Sequence, residues 1–237
     1  MIKLHQFPTG PEIPNYSPFC LKAETWLKLA GLPYEIVWLA DPRKAPMGKL
    51  PYIVDGDKTV ADSEAIIAYL AATYGVDLDK GLNAEQKAVA RAFERMLSEH
   101  SYWGLLYARW IAPEGFAQTR KLFFAQLPLL LRGLISRLAR KDTIRNAHGH
   151  GLARHAPEKI YARIAQDLQA VADYLGDKPY LMGAEPTTVD ATVYGFIANF
   201  HRAQVKTPLA ALVARHPRLI AYSERMTQRC FPNLKKN

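Results

Sequence analysis

The residues best suited to chemistry stand near the start of the chain. Ser17-Pro18-Phe19-Cys20 places a hydroxyl three positions ahead of a thiol. Ser17 suits the N-cap of a helix. Pro18 suits the first helical position, where its missing N–H costs nothing. A group held at a helix start meets unpaired N–H groups and the positive end of the helix dipole, so the place favours an anion. The same field lowers the pKa of a thiol there. A serine cannot form a disulfide, so Cys20 has no partner in this motif and reads as a buried structural cysteine. Tyr16 offers a second hydroxyl beside Ser17.

Other residues are weaker signals. Pro51 follows Leu50 at the start of an apolar run, and Asp62-Ser63 stands where a helix should be capped. Tyr102, Trp103, Tyr107 and Trp110 fall at helical spacing, which fits a core face or a pocket wall. His148-x-His150 with His155 has no carboxylate or cysteine at useful spacing, so a metal is not expected. There is no phosphate-cradling glycine motif, nucleic-acid motif or convincing catalytic triad.

The elements that must hold these residues are legible from periodicity and punctuation. Residues 2–7 read as a strand, followed by a loop with Pro8, Pro11 and Pro14, and a helix runs from Ser17 to Ala30. Strands are expected at 34–39, 51–54 and 59–61, with Asp55-Gly56-Asp57 as a hairpin turn. A helix follows from Asp62 to Tyr74. Beyond Asn83 only helices are expected: a long one over 84–111, two pieces within 116–141, one from Pro157 to Leu175, and one opened by Thr187 and Asp190. Residues 209–213 and 217–228 complete the set. Residues 142–155 read as a loop. The fold class is thus α/β for residues 1–76 and all-α for residues 84–237.

Composition narrows the partners. The chain has 237 residues, 49% hydrophobic and 22% charged, which is globular rather than disordered. Two cysteines exclude a disulfide framework and fit a reducing compartment, so a cytoplasmic protein is expected. The start lacks a signal-peptide pattern, and the apolar run at 122–131 is too short to span a bilayer. The net charge is +9, of which residues 120–163 supply +8 (10 basic, 2 acidic). The basic side chains at 120, 121, 132, 137, 140 and 141 do not form one helical stripe, so neither nucleic acid nor a peripheral membrane contact is expected.

Five segments together resemble one family. They are Ser17-Pro18-Phe19-Cys20-Leu21-Lys22, Gly48-Lys49-Leu50-Pro51-Tyr52-Ile53, Ala61-Asp62-Ser63, Pro186-Thr187-Thr188-Val189-Asp190-Ala191-Thr192, and the tail from His216 to Met226. Their types and order resemble the cytosolic glutathione transferase superfamily, in its metaxin and failed-axon-connections branch with bacterial members. The resemblance implies a thioredoxin-like domain followed by a helical bundle, with a basic insertion at about 116–155. It implies glutathione as co-substrate, a small hydrophobic electrophile and a homodimer. Ser17 would donate to the glutathione thiolate, with Tyr16 and Cys20 as alternates. A cis Pro51 would turn the Leu50 backbone toward the cysteinyl part of glutathione. Ser63 would hold the γ-glutamyl carboxylate and Asp62 would face its ammonium. Lys49, Lys44 or Arg43 would pair with the other end. Tyr102, Trp103 and Tyr107 would line the hydrophobic pocket. Two alternatives share the same motifs: a non-catalytic metaxin-like scaffold and a glutathione-dependent thiol-disulfide reductase.

Overall fold

The computed structural model describes residues 1–234, without the side chains of Leu129 and Leu130. The chain begins with β1 (Ile2–Gln6), whose Ile2, Leu4 and Gln6 alternate into the core. After α1 (Pro18–Leu29), β2 (Tyr34–Trp38) pairs parallel to β1. β3 (Tyr52–Asp55) runs antiparallel on the other side of β1, and β4 (Lys58–Ala61) pairs antiparallel to β3. The sheet order is β2-β1-β3-β4, and α2 (Ser63–Tyr74) follows. This is the expected α/β unit, with the first crossover made by α1.

The helical part begins with α3 (Ala84–Arg95), closed at its start by a capping box of Asn83 and Gln86. The expected helix over 84–111 is continuous, but it widens twice into π-helical turns at Met96–Ser101 and Tyr107–Ile111, on either side of α4 (Tyr102–Leu106). Next come α5 (Pro113–Phe123), α6 (Leu129–His150), α7 (Pro157–Leu175), α8 (Thr188–His201), α9 (Pro208–Ala214) and α10 (Pro217–Cys230). No helix among the described residues is long and apolar enough to cross a membrane.

One expectation needs correcting. Residues 142–155 are not a loop: α6 runs on to His150 and ends at Gly151, whose φ of +101° suits a helix stop. Packing outweighs the glycines here. Ala147 is fully buried, and Arg140 binds the carbonyls of Trp110 (3.1 Å) and Ile111 (2.6 Å) while its guanidinium lies over the Phe116 ring. The break within 116–141 falls at Pro128, while Gly133 lies inside α6.

Helix α1 is the central element. Its Ala23, Trp26 and Leu27 pack with Ile2, Leu4 and Ile53 of the sheet and Ile66 of α2. Its Leu21 joins the core of the helical bundle. α8 lies against its first turn so closely that a Cβ on Gly195 would sit 2.7 Å from the Pro18 carbonyl oxygen. The capping box of α8 is built as expected: Asp190 accepts from the Thr187 N–H (2.8 Å) and hydroxyl (3.0 Å), from Leu181 N–H and from the Tyr222 hydroxyl. That carboxyl is fully buried and its pKa is raised by burial, against these hydrogen bonds.

Candidate functional site

Strand register brings the expected motifs to one end of the sheet. His5 pairs with Tyr52, which sets Pro51 beside Gln6, the last residue of β1. Tyr52 also pairs with Ala61, which sets Pro51 beside Asp62. The loop into α1, the Leu50–Pro51 bond and the start of α2 therefore lie in a row. The Leu50–Pro51 peptide bond is cis. Leu50 shares a small buried cluster with Cys20 of α1, Ala45, Phe7 and Tyr52.

Ser17 is the N-cap of α1, with extended backbone and Pro18 first in the helix. Its Oγ accepts from Cys20 N–H at 3.3 Å. The loop before it is held by a buried hydrogen-bond chain. Asn15 Oδ1 accepts from Ser17 N–H (3.0 Å), and Asn15 Nδ2 donates to the Phe7 carbonyl (2.8 Å). Asn199 Nδ2 donates to the Asn15 carbonyl (3.2 Å). Arg109, 4% exposed, donates to the Tyr16 carbonyl (2.7 Å) and to the carbonyl and Oδ1 of Asn199 (2.7 and 3.0 Å). Sequence reading missed Asn15, Arg109 and Asn199. The one signal for Arg109 was a lone cation inside the apolar run Tyr107-Ala108-Arg109-Trp110-Ile111.

The two alternates to Ser17 are otherwise engaged. Tyr16 is buried, its hydroxyl donates to Gln204 Oε1 (3.0 Å), and Phe123 meets its ring edge-on. Cys20 is fully inaccessible, and burial pushes its thiol up to about 12 against the Ser17 hydroxyl, so it is protonated at neutral pH.

Asp62 caps α2, accepting from Glu64 N–H (2.8 Å) and Ala65 N–H (3.2 Å). Its φ is +79°, in a region that costs a non-glycine residue energy. Ser63 is buried at the first position of α2. Glu64 is gripped by Arg91 and by Arg95 (2.8 Å), and both arginines also reach Glu94, whose Oε1 accepts from Lys22 of α1 at 2.9 Å. This ion network ties the starts of α1 and α2 to α3. Lys49 and Lys44 are exposed, while Arg43 makes a two-point pair with Asp41 (2.7 and 2.8 Å).

The aromatic residues of the long helix diverge. Tyr102 meets Phe19 of α1 at 4.9 Å between centroids. Trp103 stacks on His150 of α6, and Tyr107 meets Tyr161 of α7. Trp110 faces Phe123 and Phe124. Of the three expected pocket residues, Tyr102 has its aromatic partner on α1. Phe123, which was not expected, lies between Tyr16 and Trp110.

A four-stranded mixed sheet with α1 and α2, followed by a helical bundle, is the architecture of the glutathione transferase class. Comparison with known proteins agrees. Residues 18–115 match the glutathione S-transferase N-terminal domain and residues 164–226 match the glutathione S-transferase C-terminal domain. An isoprene-epoxide–glutathione S-transferase of Rhodococcus sp. (strain AD45) is 33% identical, over 95% of this chain and 98% of that one. Failed axon connections of Drosophila melanogaster is 34% identical over 98% of this chain, which spans 59% of that protein's length. Human metaxin-2 is 24% identical over 89% of this chain and 81% of its own. The solved structure of glutathione S-transferase III in apo form superposes with a TM-score of 0.62, 22% identity and coverage of 100% and 98%. The chain belongs to the glutathione S-transferase family.

Proposed function

We propose that this chain is a glutathione-dependent transferase acting on small hydrophobic electrophiles. The observation that carries the reading is the register that lines up Ser17's loop, Pro51 and Asp62 at one sheet end. In this reading the tripeptide lies along the strand edge at Leu50. Its γ-glutamyl carboxylate sits at the start of α2 near Ser63, its ammonium faces Asp62, and Lys49 reaches its glycyl end. Its sulfur lies at the start of α1, where the Ser17 hydroxyl donates to it. The thiolate attacks an electrophilic carbon and the S–C bond forms. With a strained epoxide the C–O bond breaks and the alkoxide takes a proton from solvent. Phe123 and Trp110, stacked beside Tyr16, supply apolar surface for the electrophile. The Rhodococcus relative, named for an epoxide, supports this substrate class.

The test is a calorimetric titration with glutathione, followed by chromatography of the products formed with a small epoxide. Binding in the micromolar to millimolar range and a thioether product are expected. No heat at millimolar glutathione overturns the reading. The same reading has the chain acting as a homodimer in a reducing cytoplasm, and sedimentation checks the oligomeric state.

One observation favours a non-catalytic scaffold as a second reading. Residues 116–163 match neither family domain, and within them Leu131, Leu134 and Leu138 of α6 are each about half exposed along one helix face. In a scaffold these leucines would be covered by a partner. Glutathione binding separates the two readings, because the scaffold does not need it.

A further inference from the structure

Arg109 is a buried cation without a carboxylate. All its hydrogen-bond acceptors are neutral: the Tyr16 carbonyl and the carbonyl and side-chain oxygen of Asn199. None of the ion pairs among the described residues includes it, and its Nε has no partner. Burying an unpaired charge is expensive, and neutral donors could hold the same carbonyls. The groups that act on its charge from within the core, Tyr16 and Tyr102, are uncharged at neutral pH. From the loop, Tyr16 has its pKa raised by burial. From α1, burial takes Cys20 to about 12, and from α4 it takes Tyr102 to about 12. From α8 the facing group is Asn199, an amide. Glu12 acts on Tyr16 from the loop, and it is partly exposed. Burial lowers Arg109 itself only to about 10, so it remains charged.

The charge is also well aimed. The guanidinium lies 2.7 Å from the carbonyl oxygen of Tyr16, whose carbon is bonded to the Ser17 nitrogen. It stands behind the α1 N-terminus and adds to the field of the helix dipole. We infer that Arg109 is the buried positive charge that stabilises a thiolate at position 17, the counter-ion being supplied by the bound thiol. It is a positioning and electrostatic residue, acting through the loop without touching the reacting atoms. For the glutathione sulfur this rests on the transferase reading. The field itself does not, and that separates the two tests.

The experiment places the thiol in the protein. The Ser17→Cys variant, kept reduced, is alkylated with iodoacetamide across a pH series, and the rate gives the pKa of the introduced thiol without glutathione. In the Arg109 background it is expected below the ordinary value of about 8.5. In the double variant with Arg109→Gln it is expected to rise by about one unit or more, with an approximately tenfold lower thiolate fraction at pH 7. Asn199→Asp is the second variant: it supplies Arg109 with a carboxylate and is expected to raise the pKa likewise, at the loss of the Nδ2 bonds to Asn15 and Gly195. Circular dichroism identifies the variants that fold. Equal pKa values in the presence and absence of the Arg109 charge overturn the inference. So does a Ser17→Cys thiol at or above about 8.5, which needs neither second variant. Ultraviolet thiolate absorbance of bound glutathione in the Ser17 protein then repeats the comparison. If glutathione does not bind while the shift of the introduced thiol is present, the transferase reading fails and the inference stands.

Discussion

Gly195 of α8 lies against the Pro18 carbonyl with no room for a methyl group: an added Cβ would stand 2.7 Å from that oxygen and 3.4 Å from the Lys22 nitrogen. The bundle therefore sets the position of the helix that carries Ser17. Gly195→Ala forces α1 and α8 apart or strains both. The expected cost is about 2 kcal/mol, in the range for overpacking, read as a lower urea midpoint. In the transferase reading the shift also weakens glutathione binding. Unchanged stability would show that the two helices can separate freely.

Both cysteines should be silent in the native protein. Burial raises Cys20 to about 12 and Cys230 to about 11, and each is at most 5% exposed. A thiol reagent at pH 8 is expected to label neither within minutes and both after denaturation. Fast labelling of Cys20 in the native state would show a reactive thiol at this helix start and favour the reductase alternative.

The sheet, α1, α2 and α8 were legible because short-range rules decide them: apolar alternation, Ser17 before Pro18, Asp62 before α2, Thr187 and Asp190 around the α8 start. The α6 region was misread because Gly149 and Gly151 look alike in sequence, while only Gly151 takes a positive φ and packing keeps Gly149 helical. The support of Ser17 was illegible for a different reason. Asn15, Arg109 and Asn199 are up to 184 positions apart in their hydrogen-bonded pairs, and no local pattern links them. The aromatic residues of the long helix illustrate the same limit. Spacing gave them one helix, but the π-helical turns send Trp103 and Tyr107 to α6 and α7.

Asp62 combines two tasks that substitution can separate. It caps α2 and occupies φ +79°. Asn keeps the capping oxygen and caps equally well, whereas Ala has none. Asp62→Ala is expected to lose about 2 kcal/mol of stability, and Asp62→Asn a few tenths. If Asp62 faces the γ-glutamyl ammonium, Asp62→Asn raises KM for glutathione at nearly unchanged stability. An unchanged KM assigns Asp62 to capping alone.

Lys22 and Glu94 join the two halves of the molecule through a pair that is almost wholly inside it, at 2.9 Å with side chains 3% and 12% exposed. Glu94→Gln removes the carboxylate that the buried Lys22 ammonium is bonded to, at an expected cost of about 3 kcal/mol. Removing both charges in Lys22→Met with Glu94→Gln should recover part of that loss. A double-mutant cycle in urea reads the difference, and additive losses would show that the pair is not coupled.

His201 makes stability depend on pH. Its ring nitrogen Nε2 pairs with Ser223 Oγ at 3.0 Å, and burial, helped by Arg202, lowers its pKa from 6.5 to about 4. Between those values the unfolded chain holds a proton on this residue that the folded chain does not. Unfolding then takes up protons, and stability rises with pH. The contribution is complete above pH 6.5 and is lost as the pH falls toward 4. At most one proton is involved, so the slope is at most about 1.4 kcal/mol per pH unit. His201→Gln keeps a hydrogen-bonding group for Ser223 without the titration. Urea midpoints from pH 7 to 4.5 should therefore fall less steeply in the variant than in the parent. Parallel curves would mean that His201 takes up its proton in the folded state as readily as in the unfolded one.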